Sequence, residues 1–280
     1  MSFSIRNHKL YRDGRVVETI PSRFTGGSFA DTPKILVIHF TGGASGRSSA
    51  GWFRNLSNKA KSSAHLVIDR DGTTFQCVAF DIIANHAGTS SWRKLDGLNK
   101  YAIGIELANW GDLYPHADGW YNESGTRIAN PYLAVHKNGN PHDGPKPIGW
   151  EPYPEAQFVA LSEIVQQLVE TYGITEIVGH DDIAPTRKWD PGPAFNMSRL
   201  RYEAFGDRTS DGGTTMSVEP AAGLNLRKGP GASFEVIRLL PKGMRVRPLG
   251  QEGKWYEVSV LDADGEPVDT GWVHGGYLTA

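Results

Sequence analysis

The sequence predicts an α/β protein in two parts, a mixed central β-sheet flanked by helices and then a small all-β barrel. Residues 34–40, KILVIHF, are apolar on both faces, which is typical of a strand buried inside a sheet. Residues 154–172 place apolar side chains at helical spacing, which predicts a helix packed on that sheet. Beyond residue 217, short β-like segments alternate with turn signals, as in a small closed barrel.

Two further strand patterns lie in the first part. Residues 63–69 and 74–80 flank an Arg-Asp-Gly turn and predict a hairpin. In residues 102–109, large apolar side chains alternate with small ones, and Glu106 lies on the small-residue face. We therefore expect a lone carboxylate on a face that is clear of bulky side chains.

The helix and the segments after it complete the first part. Proline at position 154 and Gly173 are typical start and stop signals for the helix. Residues 175–179 predict a short strand that carries His180 at its end. The interval 110–152 is rich in Gly, Pro, Asn and His and is too long for a plain connection, so we expect a surface excursion over a site.

A polar, glycine-rich stretch separates the two parts. Residues 206–215 read GDRTSDGGTT, which is typical of a flexible linker. The predicted organisation is a larger α/β domain at 1–205, a linker at 206–216 and a barrel domain at 217–280. The barrel strands are predicted at residues 224–227, 235–240, 245–249, 255–260 and 270–273.

Composition narrows the classes of function. The 29 basic and 31 acidic residues give a net charge of −2, which argues against nucleic acid and anionic membrane surfaces as partners. No apolar run is long enough to span a bilayer, and the polar start of the chain lacks the apolar core of an export signal. We therefore expect synthesis in the cytoplasm. The single cysteine, Cys77, excludes an intramolecular disulfide and a cysteine-rich metal site, so histidine and carboxylate must bind any metal.

One loop concentrates polar chemistry. His39 and His180 are two of nine histidines, and each alone fits a core or capping role better than a ligand role. Residues 179–193, GHDDIAPTRKWDPGP, add arginine, lysine and three aspartates on a loop that proline and glycine stiffen.

Five segments in order resemble a known family: VIHFTGG (37–43), SSAHLVIDRDG (62–72), NHAG (85–88), AIGIELAN (102–109) and GHDDIAPTRKWDPGPAF (179–195). Together they resemble the type-2 group of zinc-dependent N-acetylmuramoyl-L-alanine amidases, which includes phage T7 lysozyme-like amidases and animal peptidoglycan-recognition proteins. The resemblance implies the fold of that group, and it implies one zinc ion held by His39, His180 and Asp190. Three ligands leave a fourth tetrahedral position for water.

The resemblance also assigns the reacting groups. Glu106 corresponds to the family's catalytic acid or base, with a salt-bridged strand glutamate as the alternative. Lys188 corresponds to the cation that stabilises the oxyanion, although without the family it would be interpreted as an exposed loop lysine. We interpret Asp181 and Asp182 as loop-capping or supporting carboxylates rather than ligands.

Three residues are assigned to substrate binding. We expect His65 and His86 to line the cleft wall, with a purely structural role as the alternative. We expect Arg187 to bind a carboxylate of the stem peptide, with a solvated loop charge as the alternative. The T7-like branch has a tyrosine where this chain has Ala64, and its third ligand is a cysteine rather than Asp190. The chain is therefore similar to the bacterial branch that uses aspartate.

The carboxyl-terminal part resembles bacterial SH3 domains through GLNLRKGPG (223–231), VIRLLPKGMRV (236–246), WYEVSV (255–260) and GWVHGGYL (271–278). Such modules commonly bind peptidoglycan or its peptides. The aromatic residues either line a groove or, as is more usual in so small a barrel, form its core: Trp255, Tyr256, Trp272 and Tyr277.

The expected function is hydrolysis of the amide between the lactyl group of N-acetylmuramic acid and L-alanine. The alternatives are a recognition protein that binds muropeptides without cleaving them and a zinc peptidase that cleaves another wall bond. The sequence leaves two substrates open: the intact wall, as for an endolysin or autolysin, and soluble cytoplasmic anhydro-muropeptides.

Overall fold

The computed structural model describes residues 2–205, 215–252, 254–263, 265 and 267–279. The chain divides into two compact units, Met1–Met197 and Ser198–Ala280. Most of the predicted linker, residues 206–214, lies outside the described residues. The division into domains at 1–205 and 217–280 therefore stays a prediction.

The described residues of the first unit form eighteen strands and three α-helices. In chain order they are β1 (Phe3–Arg6), β2 (Lys9–Arg12), β3 (Arg15–Val16), β4 (Glu18–Thr19), β5 (Thr25–Ser28), β6 (Ile35–Phe40), α1 (Gly46–Trp52), β7 (Leu66–Ile68), β8 (Thr74–Gln76), β9 (Ile82–Ala84), β10 (Ser91–Trp92), β11 (Leu95–Asp96), β12 (Ala102–Leu107), β13 (Asp112–His116), β14 (Gly119–Tyr121), β15 (Arg127–Ile128), β16 (Tyr132–Ala134), β17 (Ile148–Trp150), α2 (Glu155–Tyr172), β18 (Glu176–Gly179) and α3 (His180–Ile183).

A six-stranded mixed sheet forms the centre of this unit, in the order β18-β6-β12-β7-β8-β4. Strands β18, β6, β12 and β7 run parallel to one another, and β8 pairs antiparallel with β7. In β6, Leu36, Val37 and Ile38 have no exposed surface, as the two-sided apolar pattern predicts. The predicted α/β class with a mixed central sheet is confirmed.

The predicted hairpin is present as β7 and β8, with Leu66 opposite Gln76. Both strands are shorter than the sequence pattern. Gly72 takes a left-handed conformation in the turn, with φ of 82°, where a side chain would be strained. Cys77 directly follows β8 as a buried free thiol, and burial raises its pKa to about 12.

Helix α2 has the predicted boundaries. Pro154 occupies the N-cap, and Gly173 closes the helix in the left-handed region while its N–H donates to the Val169 carbonyl. The predicted apolar face is buried. Gln157, also buried, donates from Nε2 to the carbonyls of Ile68 and Ala108, at 2.9 and 3.1 Å. The helix is thus tied to the chain at the carboxyl ends of β7 and β12.

The predicted surface excursion at 110–152 contains a five-stranded antiparallel sheet, in the order β15-β14-β13-β17-β16. We call residues 112–150 the insert. Its strands are two to five residues long, so period-2 alternation is too short to be recognised in the sequence. Three smaller sheets are also present among the described residues. One has the order β1-β2-β3, and the others pair β5 with β9 and β10 with β11.

The second unit contains helix α4 (Met197–Phe205), which begins at the last residue of the first unit, and seven strands. They are β19 (Met216–Val218), β20 (Leu224–Arg227), β21 (Val236–Leu240), β22 (Arg245–Glu252), β23 (Trp255–Leu261), β24 (Pro267–His274) and β25 (Leu278–Thr279). They form one antiparallel sheet, in the order β21-β20-β24-β23-β22-β19-β25, around a core of eight buried residues. This curled sheet agrees with the predicted SH3-like barrel. Helix α4 contacts it where the Arg247 guanidinium lies over the Tyr202 ring, 5.6 Å from the ring centre.

Across the described ranges, the structure contains no helix with the length and apolar character that a membrane span requires.

Candidate active site

Three neighbouring parallel strands bring the predicted site residues together at their carboxyl ends. His39 is the fifth residue of β6, and Glu106 lies directly opposite it in β12. On the other side of β6, β18 ends at Gly179, and His180 begins α3. The carboxyl edge of a parallel sheet is the usual place for a site in such folds. Sheet register therefore places His39 beside Glu106 on one side and next to His180 on the other.

His39, His180 and Asp190 meet in a buried cluster. The two Nδ1 atoms lie 2.9 Å apart, and each is 2.9 Å from Asp190 Oδ2. Tetrahedral bonds of about 2.0 Å would separate the donors by roughly 3.3 Å, slightly more than observed. All three residues are at most 6% exposed. The three predicted ligands thus form a compact triangle of metal-ligating atoms.

The hydrogen bonds of the outer ring nitrogens show which nitrogen of each imidazole carries the proton. His180 Nε2 lies 3.2 Å from the Ala87 carbonyl, to which it must donate, so its Nδ1 presents a lone pair. His86 Nε2 likewise donates to the Ala102 carbonyl at 3.1 Å, so its Nδ1 accepts from His39 Nε2 at 3.0 Å. His39 Nδ1 therefore also presents a lone pair. The Ala87 carbonyl thus orients His180 directly, whereas His86 orients His39 and is itself held by the Ala102 carbonyl. Such contacts to the other ring nitrogen are usual for metal-binding histidines.

Burial keeps the imidazoles of His39 and His86 neutral. Desolvation lowers the pKa of His39 to about 4, with His180 adding to the effect. Desolvation, assisted by His39, also lowers the pKa of His86 well below its ordinary value. With Asp190, the triangle consists of three electron-pair donors at 2.9 Å with no proton between them. Such an arrangement is favourable only around a cation, so the residues present fit a metal ion.

Gly104 leaves the space that His86 occupies. A Cβ at this position would lie 2.4 Å from His86 Cγ, which no side chain tolerates. Gly104 lies on the same face of β12 as Glu106, two residues earlier. The small residues predicted on this face therefore have a specific use, since they accommodate the imidazole that contacts His39.

Glu106 is the carboxylate next to the triangle. Among the described residues, its buried Oε2 has no hydrogen-bond partner. Desolvation raises its pKa well above the ordinary value, Asp190 raises it further, and the Lys188 ammonium lowers it. A carboxyl group with a raised pKa and an unused oxygen is suited to accept and return a proton near neutral pH.

A cavity of about 370 Å³ contains the site. It is lined by the triangle, by Glu106, Lys188 and His86, and by residues that the sequence analysis did not identify: Phe40, Thr41, Gly42, Ser49, Trp52, Phe53, Ser62 and Ser63. Trp52 is 44% exposed at the end of α1. The wall thus offers three serine hydroxyls and an exposed indole. Five of them lie within the segments 37–43 and 62–72 that carry the resemblance, and the other three lie on or directly after α1, but no spacing rule identified any of them as cavity residues.

Two predicted substrate-binding residues have other partners. His65 is fully buried; its Nε2 donates to the Ile82 carbonyl at 2.9 Å, and its Nδ1 accepts from Gly104 N at 3.0 Å. Arg187 Nε donates to the Thr89 carbonyl at 2.9 Å, and its Nη2 contacts the Ala87 and Thr89 carbonyls. These contacts favour the structural alternative for His65. For Arg187 they indicate that it orders the segment whose Ala87 carbonyl accepts a hydrogen bond from His180.

The two neighbouring aspartates occupy supporting positions. Asp182 Oδ2 accepts from Gly179 N at 2.8 Å and caps α3. Asp181 is 4% exposed, and its Oδ2 accepts from His136 Nε2 at 3.1 Å. Neither belongs to the triangle.

Comparison with known proteins agrees with this site. A family described as N-acetylmuramoyl-L-alanine amidase matches residues 29–193, and one described as bacterial SH3 domain matches residues 222–279. The chain is 32% identical to the N-acetylmuramoyl-L-alanine amidase AmiD of Escherichia coli over 181 residues, which are 62% of this chain and 54% of AmiD. It is 28% identical to the 1,6-anhydro-N-acetylmuramyl-L-alanine amidase AmpD of the same organism, over 61% of this chain and 82% of AmpD.

Among solved structures, AmiD in complex with an anhydro-N-acetylmuramic acid peptide superposes with a TM-score of 0.46 at 25% identity, over 72% of this chain and 65% of that one. The chain spans about half the length of the AmiD sequence that it matches. The family match covers more than half of the chain and includes all three residues of the triangle. The protein therefore belongs to the N-acetylmuramoyl-L-alanine amidase family.

Proposed function

We propose that this chain hydrolyses the amide bond between the lactyl group of N-acetylmuramic acid and the L-alanine of the stem peptide. The observation that carries the proposal is the triangle of three unprotonated donors, with the orphaned Glu106 oxygen beside it. A protein that only binds muropeptides does not require an open metal site with an acid/base next to it.

We propose zinc as the metal, held by His39, His180 and Asp190. A set of two imidazoles and one carboxylate is a common zinc set in hydrolases, because it leaves the fourth position open. When bound, zinc supplies the Lewis acidity that lowers the pKa of a water molecule toward about 7 and polarises the scissile carbonyl.

Glu106 and Lys188 are proposed to perform the proton transfer and charge stabilisation. Glu106 accepts the proton of the attacking water and returns it to the amide nitrogen, so that L-alanine leaves as a neutral amine. Its raised pKa suits both steps. Lys188 lines the cavity, and its ammonium stabilises the negative charge on the former carbonyl oxygen.

The barrel is proposed to hold the enzyme on polymeric peptidoglycan. A cavity of about 570 Å³ on the barrel is lined by Trp255 and Tyr277, together with His274, Leu239 and Arg227 among others. Tyr256 packs against the barrel core and, like Trp272, is not part of this lining. Two of the four aromatic residues considered in the sequence thus support the groove alternative, and Tyr256 supports the core alternative.

The test of the reaction is mass spectrometry of products from two substrates, intact sacculi and soluble anhydro-muropeptides. Release of peptides with a free L-alanine amino terminus supports the amidase. Cleavage elsewhere would support a zinc peptidase, and binding without products would support a recognition protein. Activity on sacculi favours the intact wall as substrate, and activity confined to muropeptides favours the soluble one.

The proposed domains predict a substrate-dependent loss on truncation. A chain of residues 1–210 should keep its rate on soluble muropeptides and fall behind the full chain on sacculi, because tethering raises the effective concentration of the polymer. Since α4 contacts the barrel, a chain of residues 1–196 is the matched control. Equal rates on sacculi, with no sedimentation of residues 211–280, would show that the barrel is not a wall anchor.

A further inference from the structure

The segment that carries the remaining site residues is tied to the insert. We call residues 180–190 the ligand loop, since it begins at His180 and ends at Asp190 and contains Lys188. Its two ends are joined by a hydrogen bond from Asp181 N to the Asp190 carbonyl, 2.8 Å long. The position of Asp181 therefore sets the distance between the two ligands that the loop supplies.

Asp181 is held from outside the site by the insert. Its Oδ2 lies 3.1 Å from His136 Nε2, and its Oδ1 lies 3.0 Å from the Lys137 ammonium. Its main-chain carbonyl accepts from Asn138 Nδ2 at 2.8 Å. A carboxylate that is 4% exposed is costly to bury without such partners. Three consecutive residues of the insert thus fix one residue of the ligand loop.

The geometry of His136 leaves its ring one orientation. Its Nδ1 accepts from Asn138 N at 3.0 Å, so the proton is on Nε2 and points to Asp181. Its own N–H donates to Asn140 Oδ1 at 2.8 Å, and its ring packs on the buried Trp150. The residue is 2% exposed. His136 is therefore a donor that contacts within the insert hold in place.

A second tie from the insert lies at the other end of the loop. Trp189 Nε1 donates to the Gly139 carbonyl at 2.9 Å, one residue before Asp190. The insert therefore contacts the ligand loop directly after His180 and directly before Asp190. These contacts span 45 to 50 residues of sequence, and neither joins the metal-ligating triangle.

We propose that His136 is a positioning residue for the metal site: through Asp181 it holds His180 and Asp190 at the separation that binds the ion. The inference rests on the proposed metal site and adds a function for the insert. Supporting contacts one step removed from a metal typically change its affinity by about 10- to 100-fold. The effect should thus appear in metal affinity before it appears in folding.

The test compares four full-length variants with the wild-type protein. His136→Leu removes the donor, and His136→Gln keeps an N–H near the position of Nε2. Asn138→Ala removes the bond to the Asp181 carbonyl and is the milder change. His116→Leu, at an exposed histidine of the same insert that contacts the Tyr121 ring, is the matched control.

The primary readout is the zinc dissociation constant of each folded variant, measured by competition with a chromophoric chelator. The visible spectrum of the cobalt-substituted protein and the melting temperature of the metal-free protein accompany it. We expect His136→Leu to weaken zinc binding by about 10- to 100-fold and to alter the cobalt spectrum. Asn138→Ala should show a smaller loss, while His136→Gln and His116→Leu should remain close to wild type.

Lower melting temperatures with unchanged zinc affinity and cobalt spectrum would overturn the proposal, since that is the result of a merely structural role. If His136→Leu does not fold, Asn138→Ala decides the question by the same two readouts. A wild-type protein that binds no zinc, or binds it without cleaving muropeptides, would instead contradict the proposed function. The two failures are therefore distinguishable.

Discussion

The two halves of the site are built differently. His39 and Glu106 lie within β6 and β12 of the central sheet, opposite each other in register, and we call them the strand half. His180, Lys188 and Asp190 lie on the ligand loop, whose geometry depends on Asp181 and the insert, and we call them the loop half. Backbone ladders fix the strand half, whereas side-chain contacts from a distant segment hold the loop half. Changes far from the cavity should therefore disturb the loop half first.

Removing one ligand from either half should have the largest effect. His39→Ala and Asp190→Ala should each lose zinc and all detectable turnover, because two remaining ligands do not hold the ion for catalysis. Metal content after chelator treatment and readdition of zinc, together with amidase rates, checks this. His116→Ala is the matched control, as an exposed histidine outside the site. Full activity in metal-free protein would contradict the assignment of the triangle.

Removing the charge of Glu106 in the strand half should greatly lower the rate of hydrolysis without weakening zinc binding. Glu106→Gln preserves size and should keep its zinc, yet lose on the order of 100-fold or more in kcat, the usual range for a removed general base. Rates and zinc content of the same preparation are measured together. A wild-type rate with zinc bound would exclude Glu106 as the proton acceptor.

Removing the charged side chain of the loop half should lower the rate by about as much, and a conservative substitution should restore part of that rate. Lys188→Ala should lose roughly 100-fold in kcat/KM, about 3 kcal/mol of transition-state stabilisation. Lys188→Arg keeps the positive charge and should recover part of the loss. An unchanged rate in Lys188→Ala would remove this residue from the mechanism and leave the loop half with only its two metal ligands.

Buried His65, which contacts Gly104 of β12 beside the strand half, should also impose an acid limit on stability, independent of metal. Burial lowers the pKa of His65 to about 4, below the 6.5 of an exposed histidine. The unfolded chain therefore binds a proton that the folded protein rejects, so stability is complete above pH 6.5 and falls as the pH drops toward 4. The loss attributable to His65 is about 3 kcal/mol.

The check is urea unfolding of metal-free protein across this range. His65→Gln can replace both ring contacts with amide groups and does not titrate. Its free energy of unfolding should fall with a slope smaller by up to one proton, roughly 1.4 kcal/mol per pH unit. Identical slopes in the two proteins would show that His65 does not titrate as burial predicts.

The strand half could be predicted from the sequence more fully than the loop half. The apolar run of β6 and the small-residue face of β12 are local patterns, and they correctly place His39 in a buried strand and Glu106 on a cleared face. The triangle itself followed from the family resemblance, since no spacing rule relates His39 to residues about 140 positions later. Local patterns thus predicted the secondary-structure elements, whereas only the family resemblance predicted that the three ligands come together.

The support of the ligand loop could not be predicted. The bond between His136 and Asp181 joins residues 45 positions apart. His136 lies in the loop between β16 and β17, and these strands of three residues each are too short to produce a recognisable alternation. For His65, the sequence could not distinguish a cleft residue from a buried one, because both ring nitrogens bind backbone atoms that carry no sequence signal.

The close contact at Gly104 has a consequence for how the chain tolerates substitution. Even alanine there would place its Cβ against the His86 ring. That ring accepts the hydrogen bond from His39 Nε2. In a saturation scan selected for the proposed amidase activity, Gly104 should therefore appear as intolerant as the ligands, although it has no side chain. Such a scan would identify the glycine as part of the site from function alone.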